Sequence, residues 1–254
     1  MSTKKKLEIS PEISSTIVQC INDAVGDKIK EDIQRHHLMT QNSTPSRIWD
    51  LLNTDLCTKF NSPDCMAYTS KRGPWEMVIV YEKKSGFLYS LMREKRYKEI
   101  HHKIRHRKRM HYVDILVRHL NSDLISTKRQ LSFIPIIPIT FEDQDEISTA
   151  VQKLLENLLV DGVVLKRHVL VLFEGAKFQL SSVRAVMVDS NLDIVAEEDW
   201  SKYISVEESI IADQVEDINV PSNNPTRGLK LTDKATKRKR SAPIRKIKKE
   251  NEPE

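Results

Sequence analysis

WEMVIVYEKKSGFLYSLMR, Trp75 to Arg93, decides how the rest of this chain is read. Two runs rich in β-branched and aromatic residues, Trp75–Glu82 and Phe87–Arg93, flank Lys83–Gly86. Four residues with a glycine at the end suit a turn between antiparallel strands, so the stretch predicts a β-hairpin. Its strands need apolar cover, and the flanking sequence offers helices on both sides.

Upstream, Ser10-Pro11-Glu12 reads as a helix start with Ser10 as the capping hydroxyl. Ile13, Ile17, Cys20, Ile21 and Ala24 follow at helical spacing, and Gly26 is placed to stop them. A polar helix over Asp27–Leu38 and a third from Thr44-Pro45, with the stripe Trp49, Leu52, Leu56, Phe60, complete a helical region. Ser62-Pro63-Asp64 breaks the third helix.

Downstream, one helix over Lys95–Leu120 would carry two apolar stripes on opposite sides. Tyr97, Ile100 and Ile104 share one, while Met110, Val113, Val117 and Leu120 share the other. One core cannot bury both, so a break is predicted near Arg107–Arg109. LSFIPIIPIT, Leu131–Thr140, carries two prolines and reads as an edge strand or an extended crossing. Asp143–Leu159 is a periodic helix, its stripe running from Ile147 to Leu159, stopped at Asp161-Gly162. Val169–Phe173, Phe178–Val188 and Leu192–Ala196 read as strands, with turns at Glu174–Ala176 and Asp189–Asn191. The expected class is α+β: N-terminal helices over 1–62, and a core over 63–204. That core holds a mixed, mostly antiparallel sheet of five or six strands with flanking helices.

Residues 205–254 form the expected disordered tail. Residues 189–217 carry ten acids and one lysine; residues 227–250 carry eleven Lys/Arg and two acids. Blocks of like charge without apolar periodicity stay unfolded and serve as interaction arms. The net charge is only +5, a balance of opposed blocks.

Composition narrows the function classes. Six glycines stand too far apart for a dinucleotide or P-loop fingerprint, and G-x-S-x-G is absent. Three scattered cysteines suit a reducing compartment. No apolar run approaches the ~18 residues of a membrane span, and the basic N-terminus lacks the apolar stretch of a secretory signal. A cytoplasmic protein with no resident cofactor and no membrane partner is expected.

Two basic segments point to nucleic acid. Lys98–Leu116 holds four histidines and six Lys/Arg against two carboxylates. Its candidate phosphate contacts are Lys103, Arg105, Arg107, Lys108 and Arg109. The tail offers Lys237, Arg238, Lys239, Arg240, Arg245, Lys246, Lys248 and Lys249, a polybasic arm with no aromatic for base stacking. His102 and His106, four apart, are a two-imidazole metal reading amid repelling charge. Arg105 and His111 match the Arg-x4-6-His spacing of helical toxin ribonucleases, though the strands contradict that all-helical fold. The leading expectation is a nucleic-acid-binding protein, with a protein-interaction module as another alternative.

Pro63-Asp64 followed by Glu82-Lys83-Lys84 resembles the P-D…(D/E)-x-K signature of restriction-endonuclease-like enzymes. The resemblance implies Asp64 and Glu82 as Mg²⁺ ligands and Lys84 as the cation assisting water. It departs from that family in placing Glu82–Lys84 at a turn instead of inside a strand. RGPWEMVIVYEKKSGFLYSLMREKRY with HYVDILVRHLN resembles a family of uncharacterised proteins of Gram-positive bacteria and their mobile elements, over roughly residues 45–200. This implies a bacterial setting, with phage defence among the contexts, and carries over no catalytic residue.

Overall fold

The computed structural model describes residues 7, 9–37, 39–72, 75–104, 107, 110–126, 144–159 and 162–205. All lie within one compact unit, Met1–Glu207. The predicted hairpin is present as β3 (Trp75–Glu82) and β4 (Phe87–Arg93). Gly86 closes the turn at φ 73, donating its N–H to the Glu82 carbonyl at 2.9 Å. A Cβ there would stand 2.8 Å from Lys166 Cγ, so both the backbone and the space favour glycine.

The sheet has seven strands in sequence order, more than the five or six expected. The additional ones are β1 (Asn61–Ser62) and β2 (Cys65–Arg72), which pairs with β3 along its whole length. β1 is two polar residues, and β2 is apolar only over Cys65–Tyr68 and polar from Thr69 onward, which hid them from a search for longer apolar runs. Lys71 and Arg72 end β2. On the other side come β5 (Arg167–Ala176), β6 (Gln179–Val188) and β7 (Ile194–Asp199). All neighbours are antiparallel except β4 and β5.

The β5–β6 turn differs from the expected Glu174–Ala176. Strand β5 continues through those residues with a register shift at Glu174/Gly175. The chain reverses at Lys177-Phe178, both at positive φ (51° and 62°). Two left-handed central residues match the strand twist, as in a type I′ hairpin, and here no glycine signals it.

Helices cover both faces. α1 (Pro11–Val25), α2 (Asp27–His36) and α3 (Thr44–Lys59) pack on one face. There Ile17, Ile21, Leu52 and Leu56 meet Val78, Val80, Val171 and Phe173. The helical region expected as a separate 1–62 segment therefore shares a core with the sheet. Ser10 does not cap α1 with its side chain; Ser14 Oγ donates instead to the Ser10 and Pro11 carbonyls, each at 3.1 Å.

The other face carries α4 (Glu94–His102), α5 (Tyr112–Leu120), α6 (Gln144–Leu154) and α7 (Glu156–Leu159). The predicted break exists, beginning at Lys103, a few residues before Arg107. It lets Tyr97, Ile100 and Ile104 enter the same core as Val113, Val117 and Leu120. The helix expected over Asp143–Leu159 is interrupted at Leu155, which leaves Leu159 42% exposed rather than in the stripe. Leu131–Thr140 and the whole tail from 206 lie outside the described residues.

A polar cluster sits inside this second core. His168 of β5 is fully buried, and its Nε2 lies 2.8 Å from Ser90 Oγ of β4. The Asn121 side chain accepts from the His168 N–H at 3.0 Å and donates to the His168 and Val188 carbonyls at 2.8 and 3.3 Å. Burial pushes the imidazole down to about 3.

That value lies below the ~6.5 of an unfolded histidine. Between the two, the unfolded chain binds a proton that the folded chain refuses. Stability is therefore complete above that range and falls on acidification through it. Urea unfolding at about pH 7 and about pH 4.5 is expected to show a His168→Gln variant with a pH slope shallower by about one proton. Equal slopes in the variant and the parent would exclude His168 as the source.

Candidate functional site

The sheet forks between its third and fourth strands. β2 and β3 remain paired to Arg72↔Trp75, and β4 and β5 to Arg93↔Phe173. The β3–β4 ladder, however, ends at Ile79↔Ser90. Trp75–Val78 and Leu91–Arg93 thus stand on separate arms, and a cleft of about 1140 Å³ opens between them. Helix α3 walls it on one side of the sheet, while Arg96 of α4 and Tyr112 of α5 wall it on the other. The Tyr112 hydroxyl donates to the Leu91 carbonyl at 3.3 Å, taking up one backbone acceptor beyond the last β3–β4 pair.

Strand alternation sorts the lining side chains. Val78 and Leu91 belong to the α1–α3 core, so Glu76 and Arg93, two positions away on the same strands, lie on that side. Lys71, the cross-strand partner of Glu76, joins them. Asp50 and Trp49 of α3 face the same space, and Trp49 meets Phe173 edge-on at 5.5 Å. Met92 belongs to the opposite core and Met77 packs against it, which places Trp75 on that side, toward Arg96 and Tyr112.

Arg93 is the unusual charge. It is half-buried, and burial lowers its guanidinium from the ordinary value. Among the described residues no carboxylate or hydrogen-bond acceptor engages it. Arg184, also part-buried, provides the contrast: Glu94 meets it at 2.7 and 3.1 Å and Glu197 joins from β7. Despite the cost of burial, these partners raise Arg184. A desolvated cation facing an open cleft without a partner is arranged to receive an anion. Lys71 is exposed and lines the same cleft, and Trp75 is 64% exposed there.

The residues expected from sequence lie elsewhere. Asp64, Glu82 and Lys84 gather at the far end of β3, roughly 23 Å of strand from Trp75. The backbone brings them together: Cys65 opposes Glu82, and the Lys83 N–H donates to the Asp64 carbonyl at 2.9 Å. Their side chains separate. Glu82 is buried and accepts from Tyr89 at 2.8 Å and Ser85 at 2.6 Å, whereas Asp64 and Lys84 are exposed. Among the described residues no group of three or more His, Cys, Asp or Glu is placed to hold a metal.

The basic loop is corrected in one member. Arg107 forms a bidentate pair with Asp114 at 2.6 and 2.8 Å. Asp114 also accepts the His111 N–H at 2.7 Å, in a capping box that starts α5. Arg107 therefore anchors the chain between α4 and α5 and is neutralised internally. Lys103 and His102 are exposed. Arg105, His106, Lys108, Arg109 and the tail cations Lys237–Lys249 lie outside the described residues.

Arg93, Lys71 and Trp75 were not singled out in the sequence. An arginine at the end of an apolar strand resembles any surface charge, and only the early end of the β3–β4 ladder gives it a cleft to face. The available signal was a tryptophan beside Gly73-Pro74, where the core pattern of β3 has not yet begun.

The chain belongs to a family of unknown function, DUF5986, whose family model matches residues 6–249. Comparison with curated proteins and with solved structures gives no significant match.

Removing the partner of Arg107 is expected to be costly, because Asp114 is 3% exposed and Arg107 15%. Asp114→Ala leaves a largely buried cation unpaired and the His111 N–H without its acceptor and is expected to cost about 3 kcal/mol. Urea denaturation checks this, and a loss below about 1 kcal/mol would contradict the anchoring role.

Proposed function

We propose that this protein binds nucleic acid, holding phosphodiester groups in the fork of the sheet. The observation that carries the reading is Arg93, a half-buried guanidinium at the end of β4 with no partner among the described residues. Planar guanidinium groups suit phosphate oxygens, and partial desolvation strengthens that contact. Lys71 and Arg96 extend the positive lining, though Glu99 meets Arg96 at 3.1 Å. Lys103, Arg105, Lys108, Arg109 and the tail cations belong to the same proposal as further phosphate contacts. A cytoplasmic, mobile-element setting rests on the sequence resemblance. Among the described residues no helix is long and apolar enough to cross a membrane.

A second reading keeps the Mg²⁺-dependent nuclease but moves it to the cleft. Asp50 of α3 and Glu76 of β3 are exposed carboxylates lining the same space as Arg93. Mg²⁺ is held by one or two carboxylates together with substrate phosphate oxygens, so a preformed three-ligand cage is not required. In this reading Arg93 stabilises charge on the phosphate.

Fluorescence anisotropy with labelled DNA and RNA across a salt series tests the first reading. Arg93→Gln is expected to weaken binding about tenfold and to lower the salt slope by about one phosphate contact. Unchanged affinity and slope would overturn it. For the second, Asp50→Asn and Glu76→Gln are expected to abolish cleavage of plasmid or RNA that the parent performs with Mg²⁺ and not with chelator. Intact substrate with the parent in every tube would remove the nuclease reading and leave the binding one standing.

A further inference from the structure

We infer that the fork takes a single strand, one base stacking on Trp75 while the adjoining phosphate reaches Arg93; this rests on the nucleic-acid reading above. Three observations carry it. First, the two groups lie on opposite sides of the sheet and meet only through the gap between the arms Trp75–Val78 and Leu91–Arg93. A strand threading that gap must be narrow, and Arg93 is half-buried behind its mouth. A duplex carries its phosphates on a broad outer surface and would have to open before one entered.

Second, Trp75 is the tryptophan left available. Trp200 is fully buried and Trp49 is committed to Phe173, whereas Trp75 is 64% exposed, with no ring partner among the described residues. An exposed indole near cations can serve as a platform for an unpaired base. Third, the cleft lining also includes the polar side chains Asn42, Ser46 and Asn53, on the α3 side with Arg93, where they can hydrogen-bond the sugar-phosphate backbone. The charged tail lacks an aromatic, so only the fork provides stacking within the segments assigned to nucleic acid.

The test uses the full chain, so that any contribution from the tail is common to every variant. A short labelled oligonucleotide is titrated as a single strand and after annealing to its complement, with parent, Trp75→Ala and Arg93→Gln proteins. Circular dichroism confirms that both variants keep the parental fold. The parent is expected to prefer the single strand at least tenfold. Trp75→Ala is expected to lose about tenfold on the single strand and to leave duplex affinity within twofold. Arg93→Gln is expected to weaken the single strand by a similar factor. Equal affinity of the parent for the two forms, or a Trp75→Ala protein that binds the single strand like the parent, overturns the inference. If Arg93→Gln still weakens binding in that case, nucleic-acid binding at the fork survives it. If neither form binds the parent, both readings fall together.

Discussion

Strands β4 and β5 run in the same direction over seven residue pairs, from Phe87↔Arg167 to Arg93↔Phe173. Parallel neighbours cannot be joined by a tight turn. The chain must leave at Arg93, cross one face of the sheet and re-enter at Arg167. Helices α4 to α7 make that crossing, and their apolar stripes form the second core. With α1–α3 already on the first face, the inner strands are buried on both sides. That is why VLVLF in β5 reads as continuously apolar instead of alternating. The open end of the fork also follows from the crossing. Where β4 hands the chain to α4 it stays with β5, while β3 stays with β2, and the two arms part.

The cleft is therefore a product of topology, and its chemistry comes from what the arms carry there. Several charged side chains elsewhere are paired internally: Arg184 with Glu94 and Glu197, Arg107 with Asp114, Glu82 with Tyr89 and Ser85. Lys28 of α2 likewise pairs with buried Asp55 of α3. Against that background Arg93 stands out. Buried polar groups are ordinarily satisfied, and a partly buried charge without a partner is a sign of use.

Much of the fold was legible because its signals are local. Helix α1 shows its periodicity and its proline, the β3–β4 hairpin shows its turn, and the conflict of stripes between Ile104 and Val113 required a break in any fold. What was missed depends on distant partners. Strand β2 carries only four apolar residues, Cys65–Tyr68, before it turns polar, too short a run to stand out. The Lys177-Phe178 turn uses left-handed residues that sequence does not favour, held by the strands on either side. The metal-site motif was read where Asp64 and Glu82 fall close along the hairpin, yet burial beside Tyr89 turned one carboxylate inward. The fork required knowing that a ladder stops after Ile79, and no residue in it says so.

The Asn121–His168–Ser90 cluster has a further consequence for alignment. Strand β5 offers apolar side chains to both faces, so sliding it by one residue along β4 would leave oil against oil on either side. Hydrophobicity alone barely penalises that mistake. Fixed polar contacts do: a displaced β5 would strand an imidazole among leucines and leave the Asn121 amide without the backbone groups it bridges. The cluster acts as an indexing pin, and because Arg93 ends the strand next to it, it also sets how far the guanidinium projects into the opening.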